Sequence, residues 1–476
     1  MKKGKVLKVA LFSLLAATLL VMPLMSACAQ EAPAPVPAPA PAPAPKPTPT
    51  PSPKPAPKPT VEKPKSVKVG RLTDLTGPYA AITPPILAGF KDYAEMLNKK
   101  QGGIDGVPID VIWADVKQDA ALAVSAYKRF KSEKALVTSC TSSGLTFAIK
   151  KLAEEDRIPI IGQAMNMSLY SPPSDVVWAN NVANPGETIT QLIWFDTQVW
   201  DRAKMGRAFK IGFLVWDIAY TKGGLPGMYK YCDENGIEMV GTEIVPPPTL
   251  DYTTQLKRMV DAGADVIFVS LCSSSSGIAL KQMNELGLLA PLEEAVATPG
   301  KIVPLLNDCA FYIASMQAAP DAAKFAYGET PWGAWHEMDK FDGVRQRNNW
   351  MIEKYGHIWH SVEEDEGAFN SGWNNMKVIA AAIERAVQNV GWDKLDGEAI
   401  IQKGLKGLKV TDNLVSGDLS FADYEGDRIG VESVRPAAWD AKRMTRLPIG
   451  DFMRVDQKYY VPKYTPKKPH PGMYTE

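Results

Sequence analysis

Residues 67–79 read VKVGRLTDLTGPY, and this stretch decides the fold because an apolar strand runs directly into a polar turn. The run 67–75 is rich in apolar and β-branched residues, which predicts a strand. Pro84 and Pro85 then stand where a helical pattern of apolar residues begins, and Gly102-Gly103 ends it. The folded part of the chain therefore starts with a strand, a polar loop and a helix.

The same unit repeats, which predicts parallel sheets covered by helices. Further strands of a first series are expected at 109–114, 135–138 and 158–161. A second series is expected at 210–215, 239–245, 265–269 and 301–305. Two long helices (341–355 and 368–390) and strand-like pieces near Leu419 and Val434 follow, and we interpret them as completing the earlier units. The fold class predicted is α/β, with two doubly wound parallel-sheet lobes and a cleft between them.

Chain length supports two lobes, since the about four hundred residues beyond Ser66 exceed the usual length of one compact domain. We assign 66–190 and 330–415 to an N-terminal lobe. We assign 191–329 and 416–466 to a C-terminal lobe, and we expect 467–476 to be a loose tail.

The first 65 residues predict export. Basic residues precede an apolar run at 9–25, and Ser26-Ala27-Cys28 follows it. This order is typical of a secretory signal, and it resembles a bacterial lipoprotein box, so 1–28 is interpreted as a signal peptide and Cys28 as the lipidated residue. The alternative is an uncleaved membrane anchor. In either case the protein is expected outside the cytoplasm, lipid-anchored to the cell membrane at the cell surface or in the periplasm.

Proline occupies every odd position from Pro33 to Pro59. Such a sequence fixes φ, lacks donors and has almost nothing to bury, so 29–65 is expected to be a disordered stalk. A polyproline II segment rises ~3.1 Å per residue and would hold the folded part away from its anchor.

Composition excludes two partner classes. The net charge is +0, which gives no electrostatic reason to expect nucleic acid. Four cysteines besides Cys28 show no CxxC spacing, which argues against a cysteine metal site and leaves their pairing open.

Enzyme patterns are not found in the sequence either. His357 and His360 have the wrong spacing for a metalloprotease HExxH helix. The serine loop 139–144 lacks the first glycine of a GxSxG elbow. We therefore predict a binding protein that is not an enzyme and that needs no cofactor and no metal.

Polar loops rich in small residues follow the predicted strands of both series. Ligands of open α/β sheets bind beyond the carboxyl ends of strands, where loops supply N–H groups and helix N-termini. These loops, which together predict a cleft, are 73–79, 139–144, 162–168, 217–220, 271–277 and 307–309.

Four features carry a family resemblance: Thr76-Gly77-Pro78, the glycine turn 102–106, Ser142-Ser143-Gly144, and Trp216-Asp217 with Tyr220 shortly after. In their order and spacing over about 66–440 the chain resembles the branched-chain amino-acid-binding family of periplasmic proteins. Those proteins are the soluble receptors of ABC importers and have the type I two-lobed fold. The resemblance implies a small-molecule ligand, an ABC permease as partner, and no catalysis.

The resemblance also implies roles for individual residues. A ligand carboxylate is expected against Ser142 or Ser143 and against Ala164 and Asn166. The alternative for the two serines is that they only cap the helix that begins near Gly144.

In the second lobe, the resemblance implies an aromatic wall at Tyr220 and a carboxylate for the ligand ammonium at Asp308. Because Asn307 stands next to Asp308, the assignment of the ammonium contact to Asp308 stays open. Asp308 could instead cap the following helix.

Other positions depart from the family pattern. Ile82 and Cys272 stand where aromatic rings are common, and Tyr79, Met165 and Met167 add apolar surface around the site. The expected ligand is a small organic acid, either a hydrophobic or branched-chain amino acid or an aromatic or aliphatic carboxylate without an amine. A ligand-sensing receptor domain is the alternative to the function as a transport receptor.

Overall fold

Short apolar strands alternate with helices from Val67 onward, and in the computed structural model the strands form two separate large sheets. The structure describes residues 62–163, 166–170, 174–358, 366–411, 419–421, 429–431 and 433–475. The signal peptide, residues 29–61 of the stalk, Ala164 and Met165 therefore lie outside the described residues.

The first sheet has the strand order β2-β1-β3-β4-β5, and its neighbouring strands are parallel. Its strands are β1 Val67–Thr73, β2 Ile109–Asp115, β3 Val137–Cys140, β4 Ile160–Gly162 and β5 Val177–Ala179. The helices between them are α1 Thr83–Gln101, α2 Ala120–Ser132 and α3 Ser143–Asp156. We call this sheet and the elements packed on it lobe 1.

The second sheet, the centre of lobe 2, has the order β14-β13-β10-β9-β8-β6-β7, with β15 paired to β13. The strands β6 to β10 are parallel, and β13 and β14 are antiparallel additions. These strands are β6 Lys210–Trp216, β7 Glu238–Val245, β8 Val266–Ser270, β9 Val303–Leu306, β10 Tyr327–Thr330, β13 Ser433–Asp440, β14 Thr445–Pro448 and β15 Met453–Arg454. A separate small ladder pairs β11 Lys409–Val410 with β12 Leu419–Ser420.

The remaining helices cover the two sheets. Those of the middle of the chain are α4 Asn184–Trp194, α5 Arg202–Met205, α6 Ala219–Lys222, α7 Leu225–Asn235, α8 Thr253–Asp261, α9 Ser275–Glu285 and α10 Leu292–Ala297. The later ones are α11 Ile313–Gln317, α12 Pro320–Ala323, α13 Asp342–Tyr355, α14 Glu366–Val390 and α15 Gly397–Ala399. The predicted fold class, two doubly wound lobes, is confirmed.

Helix α14 returns to lobe 1 and packs closely along α1. The approach requires glycine, because a Cβ atom at Gly372 would come within 1.8 Å of the Ile86 carbonyl oxygen and one at Gly89 within 2.2 Å of the Phe369 carbonyl oxygen. This contact fixes the rotation of α14 and so decides which of its side chains reach the cleft.

Four details differ from the sequence prediction. Leu419, Phe421, Ile429 and Val431 pack in the core of lobe 1, although 416–466 was assigned to the C-terminal lobe. Helix α4 buries Ile189 and Leu192 in the core of lobe 2, so the chain has crossed between lobes before residue 184 rather than at 190. The strands β5 and β10 were not predicted. The tail is not loose, because the Thr242 N–H donates to the Pro471 carbonyl oxygen at 2.8 Å and His470 hydrogen-bonds Thr242.

Candidate functional site

Both sheets contain the same topological switch point. In lobe 1 the strand β1 lies between β2 and β3, and in lobe 2 β6 lies between β7 and β8. At such a point the chain leaves two neighbouring strands in opposite directions. The loops after these strands therefore diverge and leave a crevice beyond the carboxyl ends of the strands. The loops after β1, β3, β6 and β8 are four of the loops that the sequence analysis selected.

The loop after β1 is folded around Asp74. Its carboxylate accepts the N–H groups of Gly77 at 2.6 Å and Tyr79 at 2.9 Å. Residue 77 must be glycine, because a Cβ atom there would lie 2.4 Å from the Asp74 carboxylate and 2.8 Å from the Lys117 backbone. The result is that Tyr79 is held against the cleft with its ring buried.

Ser142 caps α3. Its hydroxyl accepts from the Leu145 N–H at 3.3 Å and donates to Gln118 Oε1 at 2.7 Å. The capping contact is thus present in the structure, and the hydroxyl proton is already committed. The neighbouring Thr141 also lines the cleft, and its hydroxyl has no hydrogen-bond partner among the described residues.

The loop after β4 makes hydrogen bonds to both lobes. The Asn166 N–H donates to Ser143 Oγ at 3.2 Å, and the Asn166 side-chain amide donates to the Ala219 carbonyl oxygen of lobe 2 at 2.5 Å. Ser143 and Asn166 are therefore part of the loop structure behind the cleft and of a contact across it. Ala164 lies outside the described residues.

Tyr220 enters the cleft from the first turn of α6. Its hydroxyl donates to Glu187 Oε2 at 3.2 Å and accepts from the Asn307 side-chain amide at 2.9 Å. Burial and the neighbouring Glu187 carboxylate raise the pKa of the Tyr220 phenol well above its usual value, so the phenol stays protonated. Tyr220 is one of the residues that line the ligand space.

Asp308 lines the cleft, but its charge is already paired. Arg446 Nη1 lies 2.5 Å from Asp308 Oδ1, and the Tyr312 hydroxyl donates to Oδ2 at 2.8 Å. Asn307, not Asp308, caps the short helix that follows, because Asn307 Oδ1 accepts from the Ala310 N–H at 3.3 Å.

Two further carboxyl groups are buried beside Asp308 in lobe 2. Neither oxygen of Glu329, nor Oε1 of Glu187, has a hydrogen-bond partner among the described residues. Burial and the adjacent carboxyl groups raise the pKa of both side chains well above the usual glutamate value. Lobe 2 therefore presents an acidic interior behind Tyr220 and Asp308.

Cys272 does not face the ligand space. It forms a disulfide with Cys309, which joins the loops after β8 and β9, whereas Cys140 and Cys232 are free thiols. Cys309 is the half of this bridge that lines the cleft. The pairing that the sequence left open is thus resolved for these four residues.

Residues of both lobes line the assembled cleft. Four of the sequence-selected residues line it, namely Tyr79, Ser142, Tyr220 and Asp308. Sequence reasoning missed others that line it, namely Thr83, Ile86, Thr141, Gln163, Asn181, Cys309, Tyr312 and Ser371. Gln163 and Thr141 were within the selected loops. Ser371 had a weaker signal, since it belongs to a polar stripe with Asn374 and Asn375 on α14.

The fold and the cleft together are those of solute receptors. Residues 66–443 match the family model described as periplasmic binding protein. The chain belongs to the periplasmic binding protein family. The resemblance noted from the loop sequences is confirmed, and the protein is a binding protein rather than an enzyme.

Individual relatives agree with this assignment. A Leu/Ile/Val-binding protein homolog 7 from Brucella melitensis biotype 1 is 24% identical over 306 residues, which is 59% of this chain and 75% of the relative. A branched chain amino acid ABC transporter from Thermus thermophilus with bound valine has a TM-score of 0.71 at 20% identity, covering 84% of this chain and 98% of that one. A solute binding protein of an ABC transporter from Rhodopseudomonas palustris BisB5 in complex with 3,4-dihydroxy benzoic acid has a TM-score of 0.63 at 20% identity, covering 79% and 94%.

Membership of this family places the protein outside the cytoplasm. In the described ranges, no helix is long and apolar enough to cross a membrane. Over the same ranges, no group of three or more histidine, cysteine, aspartate or glutamate residues could hold a metal ion.

Proposed function

We propose that this periplasmic binding protein captures a hydrophobic or branched-chain amino acid between its lobes and delivers it to an ABC permease. The observation that carries the proposal is the division of the cleft, with hydroxyl and amide groups on lobe 1 facing the Asp308 carboxyl group and the rings of Tyr220 and Tyr312 on lobe 2. The printed names of the relatives, a Leu/Ile/Val-binding homologue and a valine-bound receptor, support it.

The ligand carboxylate would lie against lobe 1. The free hydroxyl of Thr141 and the N-terminus of the 14-residue helix α3 favour a negative charge there. Charge-assisted hydrogen bonds contribute roughly 1.5–3 kcal/mol each, so three of them approach the ~8 kcal/mol of a micromolar site.

The ligand side chain would lie between Tyr79, Ile82 and Ile86 of lobe 1 and Tyr220 of lobe 2. These four residues belong to one apolar cluster that spans the cleft. An ammonium group would point to Asp308 and the acidic interior behind it, because a buried cation needs a carboxylate partner.

A second candidate ligand is an aromatic or aliphatic acid without an amine. The ion pair between Asp308 and Arg446 favours it, since an ammonium would have to share a carboxylate that is already neutralised. Solved relatives in complex with 3,4-dihydroxy benzoic acid and 4-hydroxybenzoate support this candidate.

Melting the full chain with a panel of amino acids and aromatic acids tests the proposal, because a ligand that binds the folded form raises the melting temperature. Titration of Asp308→Asn then separates the candidates. For an amino acid we expect an affinity loss of at least tenfold, since about 1.4 kcal/mol corresponds to tenfold.

The matched control is Asp92→Asn, which removes a buried carboxylate that pairs with Lys354 at 2.7 Å in lobe 1 and does not line the ligand space. Undiminished affinity of Asp308→Asn would exclude the ammonium contact and favour the acid without an amine.

We also propose that Cys28 carries a lipid that tethers the receptor to the membrane through the stalk. The support is the sequence order of basic start, apolar run and Ser26-Ala27-Cys28. Cys28→Ala should release the protein from membranes or leave the leader uncleaved. Mass spectrometry of the wild-type N-terminal peptide is the decisive measurement, and an unmodified Cys28 would contradict the tether.

A further inference from the structure

Lobe 1 contains a buried arginine that forms no ion pair with any described residue. Arg71 in β1 is fully buried, and its guanidinium donates to Ser139 Oγ at 2.5 Å, Asn375 Oδ1 at 2.8 Å and Gln163 Oε1 at 2.8 Å. It also lies 4.8 Å from the centre of the Phe90 ring. All of these partners are neutral, so the charge of Arg71 is uncompensated there.

The guanidinium stays charged at neutral pH. Burial lowers the pKa of Arg71 to about 10, which still leaves it protonated under physiological conditions. A buried charge without a counter-ion destabilises the protein unless an opposite charge comes close. Among the described residues that opposite charge is missing, and the space next to Gln163 is the ligand cleft.

Arg71 decides how Gln163 is oriented. Because a guanidinium only donates, it holds the amide oxygen of Gln163 toward β1 and turns Nε2 the other way. Nε2 in turn donates to Ser371 Oγ, so the hydroxyl of Ser371 accepts there and keeps its own proton to donate. Gln163 and Ser371 both line the cleft, and we call this pair the donor wall.

We propose that Arg71 is a specificity-determining positioning residue: through the donor wall it selects a ligand whose group against lobe 1 is an anion, a carboxylate. This inference rests on the proposed function but goes beyond it, since it names a source of anion selectivity in addition to Thr141 and the N-terminus of α3. A neutral amide of the same shape would present N–H groups to donors and would leave the charge of Arg71 uncompensated.

The variant Gln163→Glu is nearly isosteric and tests this arrangement. A carboxylate at 163 would pair with Arg71, cancel its charge and remove the amide donors of the wall. The matched control is Gln101→Glu at the exposed end of α1, which adds the same charge at the protein surface.

The probes are acetate and acetamide at equal, graded concentrations, with the melting temperature of the full chain as the readout. We expect acetate, but not acetamide, to stabilise the wild type and Gln101→Glu. In Gln163→Glu the acetate concentration that gives the same stabilisation should rise at least tenfold. The control variant measures the general salt effect of acetate.

Two results would overturn the inference. One is equal stabilisation of the wild type by acetamide, which decides the question even if Gln163→Glu fails to fold. The other is an undiminished acetate response in a folded Gln163→Glu variant. Failure of the proposed function is a different result, in which acetate is selected but no amino acid or aromatic acid of the panel binds.

Discussion

At the scale of single residues, the cleft separates side chains that build the loops from side chains that are free to bind. The Ser142 hydroxyl already accepts a hydrogen bond from the Leu145 N–H and donates one to Gln118. The adjacent Thr141 lines the cleft, and its hydroxyl has no partner among the described residues. The two neighbours are therefore expected to contribute to different quantities, one to stability and one to affinity.

We expect Thr141→Val to weaken binding of the panel ligand by roughly 1.5–3 kcal/mol, the contribution of a hydrogen bond to a charged group. Its melting temperature without ligand should change little, because no contact of the free protein is lost. Ser142→Ala serves as the contrast and should reduce stability by about 1 kcal/mol, the size of a lost cap. Calorimetric titration and thermal melting of both variants check the pair, and equal affinities for wild type and Thr141→Val would contradict the assignment.

Sequence alone identified the binding loops better than the residues that act within them. Tyr79 and Tyr220 lie in loops that were selected because they follow predicted strands, and the family resemblance then implied the aromatic wall at Tyr220. Arg71 was not selected, since an arginine inside an apolar run gives no sign of whether it is buried or paired. Ser371 lies about 200 residues from Gln163, its partner in the fold, and no local pattern brings them together.

At the scale of secondary-structure elements, the connection that leaves β10 is fixed to β13 by a buried ion pair. Arg435 of β13 donates to Glu337 Oε1 at 3.0 Å and to the Trp332 carbonyl oxygen at 2.9 Å, and it pairs with Glu337 Oε2. Glu337 also accepts the Ala334 N–H at 2.9 Å. Since this connection leads from lobe 2 back to lobe 1, the pair stabilises one crossing between them.

Replacing Glu337 by Gln should therefore destabilise the protein strongly near neutral pH. Removing one partner of a buried ion pair typically costs about 3–5 kcal/mol. Burial alone would raise the pKa of Glu337, but the hydrogen bonds from Arg435 and the Ala334 N–H outweigh it and lower the pKa to about 2. The stabilisation is thus present above the ordinary glutamate pKa and is lost as the pH falls toward about 2.

Chemical denaturation of wild type and Glu337→Gln between pH 7 and pH 2.5 measures this difference, which should shrink as the pH falls. The control is Glu353→Gln, which removes an exposed pair with Lys100 and should cost no more than about 1 kcal/mol at any pH. A constant difference across the pH range would show that Glu337 acts only through packing.

The apolar pattern of the sequence predicted some of the strands and missed others. Strands such as β1 and β6 were found within two residues at each end because long apolar runs at sheet centres are distinctive. The short edge strand β5 and the strand β10 gave no such run. The lobe boundary was predicted at 190, inside α4, because an apolar helix face does not say which of two sheets it covers.

At the scale of the whole molecule, we expect ligand binding and lobe closure to be coupled through polar contacts between the lobes. The Asn166 side-chain amide of lobe 1 donates to the Ala219 carbonyl oxygen of lobe 2 at 2.5 Å, beside the apolar cluster formed by Tyr79, Ile82 and Tyr220. The contact exists only while the lobes are together. It contributes to the difference in free energy between closed and open forms, and a ligand that binds the closed form gains from that difference.

Removing this contact with Asn166→Ala should shift the receptor toward the open form. A neutral hydrogen bond contributes about 0.5–1.5 kcal/mol, so the affinity for the panel ligand should fall about two- to twelvefold. Asn98→Ala is the matched control, because Asn98 makes comparable side-chain bonds to the Ile109 backbone entirely within lobe 1. Small-angle X-ray scattering of the ligand-free proteins should show a larger radius of gyration for Asn166→Ala alone. If both variants lose the same affinity and scatter alike, the loss comes from loop stability, and closure does not depend on the contact between Asn166 and Ala219.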